Sequence, residues 1–309
     1  MNGVNMSSNP FNKKSINQKN AISPLNKGEI NTGIEGIKVK LIFYPDEKLM
    51  KNALSKMVMA TIGSDPSQTI PDKVGEELFK GGLQTGLDSF TVIFEVSGVD
   101  RTITHQLVRT SKAKFHQQSS RFTYMGSNFN VRMPETFMKD SDVMEAYNDL
   151  VHASRNFYQL AVDKDMPYQD ARYGCLEGTE TYIICEYPLG VWLNTYSYRA
   201  CPMFQWGING VFKLMAKELL DKFPWLEPYV KISCEKIKKC TFQGWEETDG
   251  VCEFSWNKTR VFKSEIFGKE TPDEKYKRLT DLVKTAGNEN ILSAAEQDWL
   301  AQYAAVQSS

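Results

Sequence analysis

The sequence predicts a chain of short strands interleaved with helices, on three observations. Short β-like runs of alternating apolar residues stand at 37–45, 89–97 and 179–186. Segments with helical periodicity lie between and after them. Glycine or proline marks most of the junctions.

The elements follow in order. Residues 1–36 are rich in Asn, Ser, Lys and Gly and almost free of periodic apolar residues, which predicts a flexible leader. Order is expected from IKVKLIFYP, a β-like run stopped by Pro45. Residues 46–60 predict a helix with Leu49, Ala53, Met57 and Ala60 along its inner face, and a second short helix is expected over 72–80, ending at Gly81-Gly82. The clearest strand is SFTVIFEVS: Phe90, Val92, Phe94 and Val96 point one way, Thr91, Ile93, Glu95 and Ser97 the other. It turns at Gly98 into a helix carrying DRTITHQLVR, where Gln106 and Arg109 share a face near the C-terminal end. A long helix over 141–163 repeats Val143, Tyr147, Leu150, Phe157 and Ala161 as its core stripe, with Ser141 and Asp142 as cap and acidic first turn. The run TETYIICE predicts a strand, followed by helices over 189–198 and 205–222; the second buries Phe212, Met215, Leu219 and Phe223 and stops at Pro224. Beyond 234 the chain is polar, with two peripheral helices expected at KYKRLTDLVKTA and SAAEQDWLAQYAA.

Composition narrows the function. With 37 Lys+Arg against 38 Asp+Glu the net charge is −1, which argues against a general nucleic-acid coat but allows a local basic site. No apolar run approaches the roughly 20 residues of a membrane helix. The first twenty residues lack the apolar centre of a secretory signal, so a cytoplasmic protein with reduced thiols is expected. Among the six cysteines, Cys234, Cys240 and Cys252 are clustered. Their spacings of six and twelve fit no tight metal-binding hairpin and no histidine follows His152, so no metal is expected.

One stretch gathers anion donors. THQLVRTSKAKFHQQSSRF, residues 104–122, supplies Arg109, Lys112, Lys114 and Arg121 as cations and Gln117, Ser119 and Ser120 as neutral donors. A phosphate monoester needs both, charge for attraction and short directional bonds for orientation. A solvated basic loop and a nucleic-acid loop are the competing readings; for the latter only Phe115, Phe122 and Tyr124 could stack on bases. Two further segments place arginine among aromatic residues: Arg172 in YQDARYGCLEG and Arg199 in WLNTYSYRACPMFQW. Desolvating such a guanidinium is costly without a partner, which is either a structural carboxylate or a ligand.

Together and in this order, the segments resemble the flavin-dependent thymidylate synthases. KVKLIFYPDEKLM is similar to that family's first strand and helix, and FEVSGVDRTITHQLVR to its strand-turn-helix. The family follows with Arg-His-Arg, seven residues and Ser; here Arg109-Thr110-Ser111 is followed by seven residues and Ser119, then Ser120-Arg121-Phe122 in place of x-Arg-Tyr. The spacing from Arg172 to Arg199 also fits, and the likeness runs over about 37–230. The resemblance implies a catalytic domain over 37–233, with a C-terminal extension over 234–309. It further implies an α/β fold with a mixed sheet and packed helices, a homotetramer, and active sites at subunit interfaces. The implied reaction is reductive methylation of dUMP at C5, with reduced FAD, 5,10-methylenetetrahydrofolate as one-carbon donor and NADPH as reductant.

Carried over by position, dUMP binding falls on Gln106, Arg109, Gln117, Ser119, Ser120, Arg121, Arg172 and Arg199, with Arg199 also the catalytic group that polarises the uracil ring. The flavin side falls on Thr85, Arg109, Thr110, Ser111, Gln117 and Asn194. There the chain departs from the family: Thr110 and Ser111 replace a His and an Arg, Pro188 and Gly190 stand for Asn-x-Arg, Leu83 and Met203 replace histidines, and Asp88-Ser89 stand for Glu-His. The nucleotide half is kept and the flavin half altered. Two alternatives follow: a paralogue that binds a deoxypyrimidine monophosphate but uses another one-carbon donor or reductant, and a non-catalytic nucleotide-binding homologue. A nucleic-acid module stands last.

Overall fold

The structure, a computed structural model, describes residues 23–65, 67, 84–237, 272–286, 297, 300 and 301. The helix expected over 72–80, Leu83, Cys240, Cys252 and most of the last expected helix lie outside these residues.

Two compact units are present: residues 1–196 with 210–230, and residues 197–209 with 231–309. The chain runs through β1 (Ile30–Thr32), β2 (Lys38–Phe43), α1 (Glu47–Thr61), a 3-10 helix Gln84–Ser89, β3 (Thr91–Val99), α2 (Arg101–Leu107), β4 (Lys114–Gln117) and β5 (Val131–Met133). It continues through α3 (Ser141–Asp163), α4 (Tyr168–Ala171), a 3-10 turn Arg172–Gly174, β6 (Thr181–Pro188), α5 (Leu189–Arg199), α6 (Trp206–Lys222), α7 (Ser233–Ile237) and α8 (Pro272–Ala286).

The first unit is built on a four-stranded antiparallel sheet of order β2-β3-β6-β4, with a separate parallel pair β1-β5. The α/β class and packed helices are as expected; parallel and antiparallel pairing fall in different sheets. Alternation explains the strand burial: Val92, Phe94 and Val96 of β3 and Ile183, Cys185 and Tyr187 of β6 are fully buried, while Glu95 and Tyr182 face outward. Against this face Phe94 stacks on Trp192 (6.0 Å between centroids), and Trp192 on Phe212 (6.4 Å), so α5 and α6 cover the sheet. Each such ring contributes about 1.5–3 kcal/mol by burial. The edge strand β2 shifts register between Leu41 and Phe43, and the Leu41 amide donates to Glu218 Oε2 at 3.2 Å. A second apolar cluster joins Met125, Phe129, Val131, Val151, Tyr158 and Ala171 beneath α3 and α4. In the second unit Ser233 Oγ donates to the Ser197 carbonyl (3.1 Å), and Asn209 Nδ2 to the Ala200 carbonyl (2.6 Å).

Several expectations need correction. Residues 23–36 are part of the fold: β1 pairs with β5, and Ser23 is buried. A three-residue strand held by backbone bonds carries no periodicity to detect. The helix over 46–60 buries Met50, Leu54 and Met59, whereas Leu49 and Met57 are exposed, a face rotated by one residue. On α3 the cap is Asp140, whose carboxylate accepts from the Asp142 and Val143 amides, and the expected stripe is largely outside: Val143, Leu150 and Phe157 are exposed. The buried face is Val151, Ser154, Arg155 and Tyr158. Its polar tips find partners, with Tyr158 OH accepting from the Met125 amide and the Arg155 guanidinium donating to the Phe129 carbonyl. Hydropathy alone selects the aliphatic stripe and misses a buried face that is hydrogen-bonded. Helix α2 ends at Leu107, before Arg109, and β4 occupies the middle of the supposed basic loop.

Candidate functional site

The site begins at the end of β3. Gly98 has φ 74°, and a Cβ there would lie 2.8 Å from the Gly36 carbonyl oxygen, so the register shift at this point requires glycine. Asp100 then caps α2: its buried carboxylate accepts from the Ile103 amide (2.9 Å) and the Thr102 hydroxyl (2.6 Å). Burial raises the Asp100 carboxyl above its ordinary range, against the pull of those bonds and of Arg132. The cap fixes the helical phase, so Arg101 and His105, four apart, face the same way.

Arg101 Nη2 donates to Ser120 Oγ at 3.3 Å, and Arg172 Nη1 donates to the same oxygen at 3.3 Å. Two guanidiniums thus converge on one neutral hydroxyl. Among the described residues neither forms an ion pair. Arg172 is steadied by Nε donating to the Gln169 carbonyl at 3.2 Å. Arg101, His105, Ser120 and Arg172 line a cavity of about 310 Å³, at the lower end of the range of small-molecule pockets. Gln118, Met125, Cys175 and Thr179 form other parts of its wall. Burial pushes the Cys175 thiol up to about 12, against the attraction of Arg101 and Arg172. It is therefore a neutral wall group and a poor nucleophile.

The wall also holds two carboxylates, Glu177 and Glu180, and Glu180 belongs to a buried ion pair. Arg132 Nη2 meets Glu180 Oε1 at 2.7 Å, with side chains 0% and 1% exposed. The guanidinium also donates to the carbonyls of Gly98 (2.8 Å), Gly33 (2.6 Å) and Glu35 (2.7 Å). Glu180 accepts in addition from Asn31 (2.9 Å) and Asn130 (3.3 Å). Burial raises the Glu180 carboxyl, with Arg132 and the two amides opposing it. With its hydrogen bonds supplied, the pair ties β1, the β3 shift, β5 and the start of β6 into one frame for the cavity.

The predicted residues divide. Ser120 and Arg172 meet at the cavity, whereas Gln106, Arg109, Gln117, Ser119 and Arg121 are not part of its wall. Strand β4 ends at Gln117 and the chain turns at 119–123, with the Phe122 and Thr123 amides donating to the Ser119 carbonyl, so neighbours of Gln118 and Ser120 do not share their wall. Gln117 Nε2 donates to Thr104 Oγ1 (3.1 Å), Ser119 Oγ accepts from the Arg121 amide (3.3 Å), and the exposed Arg121 lies 5.3 Å over the Phe122 ring. Arg109, Ser111 and Lys112 are exposed, Thr110 is buried, and Lys112 has φ 64°. Lys114 is taken up by Glu186 at 2.6 Å. Asn194 is exposed on α5, and the Thr85 side chain lies outside the described residues. Arg199 ends α5 in the second unit, 5.2 Å over Phe204 and 5.7 Å over Tyr198. Arg101, His105 and Gln118 are wall residues that the sequence reading missed. The signal for the first two was the Asp100 cap, which sets the helical face.

Comparison with known proteins gives a consistent answer. The family model described as Thymidylate synthase complementing protein matches residues 42–225, more than half of the chain. The Flavin-dependent thymidylate synthase of Clostridium tetani is 26% identical over 221 residues, covering 64% of this chain and 88% of that one. That of Sulfurisphaera tokodaii is 29% identical over 206 residues, covering 63% and 78%. Among solved structures, the UMP/dUMP methylase PolB from Streptomyces cacaoi bound with 5-Br dUMP superposes with TM-score 0.53 at 15% identity, covering 65% and 95%. Thymidylate Synthase X from Helicobacter pylori with FAD and dUMP gives TM-score 0.51 at 17% identity, covering 63% and 99%. These structures share the fold. The chain belongs to the flavin-dependent thymidylate synthase family, as a divergent member.

Proposed function

We propose that the protein reductively methylates dUMP at C5 to give dTMP, with reduced FAD and 5,10-methylenetetrahydrofolate, and NADPH as the source of reducing equivalents. The observation that carries the reading is the convergence of Arg101 and Arg172 on Ser120, two guanidiniums that form no ion pair among the described residues, in a cavity whose wall also holds Glu177 and the Arg132-paired Glu180. A phosphate monoester placed there relieves their mutual repulsion and accepts from both, the charge-assisted bonding that guanidinium suits best. The family likeness adds Gln106, Arg109, Gln117, Ser119 and Arg121 to the nucleotide's contacts. In a single chain these turn away from the cavity. That division suits active sites completed across subunit borders in a homotetramer.

The structure offers a face for such association. Val143, Ala146, Leu150, Ala153, Phe157 and Leu160 of α3 are all exposed and follow alternating three- and four-residue steps. That is the seam one helix presents to another.

The residues near the altered motif suit a flavin diphosphate. Arg109 and Lys112 are exposed cations with no ion pair among the described residues, and Ser111 lies between them. Lys112 thus stands as the replacement for the missing family arginine, while Lys114 is held by Glu186. Thr85, Thr110, Gln117 and Asn194 complete the cofactor contacts that the family likeness implies. Reduced flavin, when bound, supplies the hydride. The family likeness gives Arg199 the role of stabilising negative charge on the uracil carbonyl side as C5 and C6 react, in the manner of a preorganised electrostatic group. With that charge held, no cysteine nucleophile is required, which agrees with the neutral Cys175.

The test is direct. Purified protein incubated with FAD and desalted should retain a flavin absorption band that NADPH bleaches and dUMP perturbs. Addition of methylenetetrahydrofolate and dUMP should then give dTMP. Arg199→Ala should abolish product while leaving dUMP binding measurable. A protein that binds dUMP yet retains no flavin would favour the paralogue with another reductant; full turnover by Arg199→Ala would refute the ring-polarising role.

A further inference from the structure

The last turn of α5 carries Arg199, and its carbonyls are bonded from beyond the helix. A helix leaves its final four C=O groups without partners inside it. Here the Tyr198 carbonyl accepts from the Cys201 amide at 3.1 Å. The Ser197 carbonyl accepts from Ser233 Oγ at 3.1 Å, and just past the helix the Ala200 carbonyl accepts from Asn209 Nδ2 at 2.6 Å. Ser233 Oγ also lies 3.3 Å from Ser197 Oγ. A hydroxyl can accept while it donates, so the Ser197 hydroxyl can return the bond. All of these residues belong to the second unit.

Ser233 is itself held firmly. It opens α7 between two buried anchors, Ile232 and Cys234, which are 4% and 6% exposed. Glu235 Oε2 accepts from the Ile232 amide at 2.9 Å, the return bond of a capping box, which fixes the start of this short helix. The hydroxyl between the anchors therefore has a set direction. At the other end of the chain of contacts, the Arg199 guanidinium lies 5.2 Å over the Phe204 ring and 5.7 Å over the Tyr198 ring. Where the guanidinium points then depends on the backbone of residues 197–199, which Ser233 grips at one carbonyl. Ser233 stands past residue 225, where the family match ends, so the family likeness gives it no role.

We propose that Ser233, at the root of the C-terminal extension, is a positioning residue for Arg199, holding the end of α5 through the Ser197 carbonyl. The proposal rests on the reading of Arg199 as the group that polarises the uracil ring and deepens it. A preorganised cation stabilises developing charge only while its geometry holds, and a misplacement of about 1 Å costs on the order of 100-fold in rate. The start of the extension thereby becomes part of the catalytic unit.

The experiment follows the ultraviolet spectrum of 5-bromo-dUMP bound to the full chain as pH is varied. The halogen makes the ring N3 proton easier to lose, and a guanidinium on the carbonyl side favours the ring anion. Relative to the free nucleotide, wild type should lower the pH of half-ionisation of the bound ring by about 1–3 units, and Arg199→Ala should abolish that lowering. Ser233→Ala should lose about half of it or more while calorimetric affinity for dUMP stays within about twofold, and Ser233→Thr, which keeps the donor, should recover it. If Ser233→Ala does not fold, Ser233→Cys, close in size and a weaker donor, carries the test through the same loss. A lowering kept in full by the folded serine variants, or not recovered by Ser233→Thr, overturns the positioning role and leaves that of Arg199 standing. A lowering absent from wild type, or unchanged in Arg199→Ala, removes the ring-polarising reading and the proposal with it.

Discussion

Ser120 accepts from Arg101 and Arg172 at once, each at 3.3 Å, and the proposed phosphate site rests on this small arrangement. A structural ion pair was the plain alternative for Arg172, yet among the described residues it has no carboxylate partner. Ser120 and Arg172 could be read from the sequence because motif spacing marks them. Arg101 could not, because its role depends on the phase of a seven-residue helix fixed by a buried aspartate. Spacing along the chain also groups Gln117, Ser119 and Arg121 with Ser120, because it does not show where β4 ends and the turn at 119–123 begins. The thiols belong to the same scale. Burial pushes both Cys175 and Cys185 up to about 12 from an ordinary 9.0. Their stabilising effect is complete below pH 9 and is lost as pH rises toward 12, since the unfolded chain gives up these protons first. Stability should therefore fall by about 1.4 kcal/mol per pH unit per thiol in that window. A lower urea midpoint at pH 10.5 than at pH 8 is expected; equal midpoints would contradict these shifts.

Among the elements, the strands were the most legible. Alternation in SFTVIFEVS assigned the buried Val92, Phe94 and Val96 correctly, and the stripe Phe212, Met215 and Leu219 on α6, with Phe223 just after it, is buried as expected. The helix faces of α1 and α3 were misplaced because each has two apolar faces and only packing decides which is covered. The frame around the cavity was wholly missed: Arg132 and Glu180 read as ordinary charged residues, and nothing local marks them as buried. Glu180→Ala would leave the Arg132 guanidinium buried without its counter-ion. Breaking such a pair costs about 3–5 kcal/mol. Urea unfolding should register this as a lower midpoint, and a loss below about 1 kcal/mol would mean that the pair is dispensable.

At the scale of the whole molecule, family and fold class were legible because several motifs occur in order, although no single one is decisive. No helix among the described residues is long and apolar enough to cross a membrane. Among them there is also no cluster of three or more residues able to hold a metal; Cys240 and Cys252 are not part of that set. The N-terminal boundary was placed too late, since residues 23–36 contribute β1 and the Ser23 contact to Gln118. In the proposed reading Arg101 and Arg172 form a phosphate-binding wall within one chain, while Gln106, Arg109, Gln117, Ser119 and Arg121, which are not in that wall, are left to a site completed by a second copy. The most direct test of the central claim is a calorimetric comparison of dUMP with uridine on wild type and Arg172→Ala. The guanidinium pair predicts that dUMP binds wild type far more tightly than uridine. Arg172→Ala should weaken dUMP by about 10- to 150-fold, the loss of one charged hydrogen bond, and leave uridine nearly unchanged. Equal binding of dUMP and uridine, or a variant that binds dUMP as well as wild type, would contradict a phosphate site between Arg101 and Arg172.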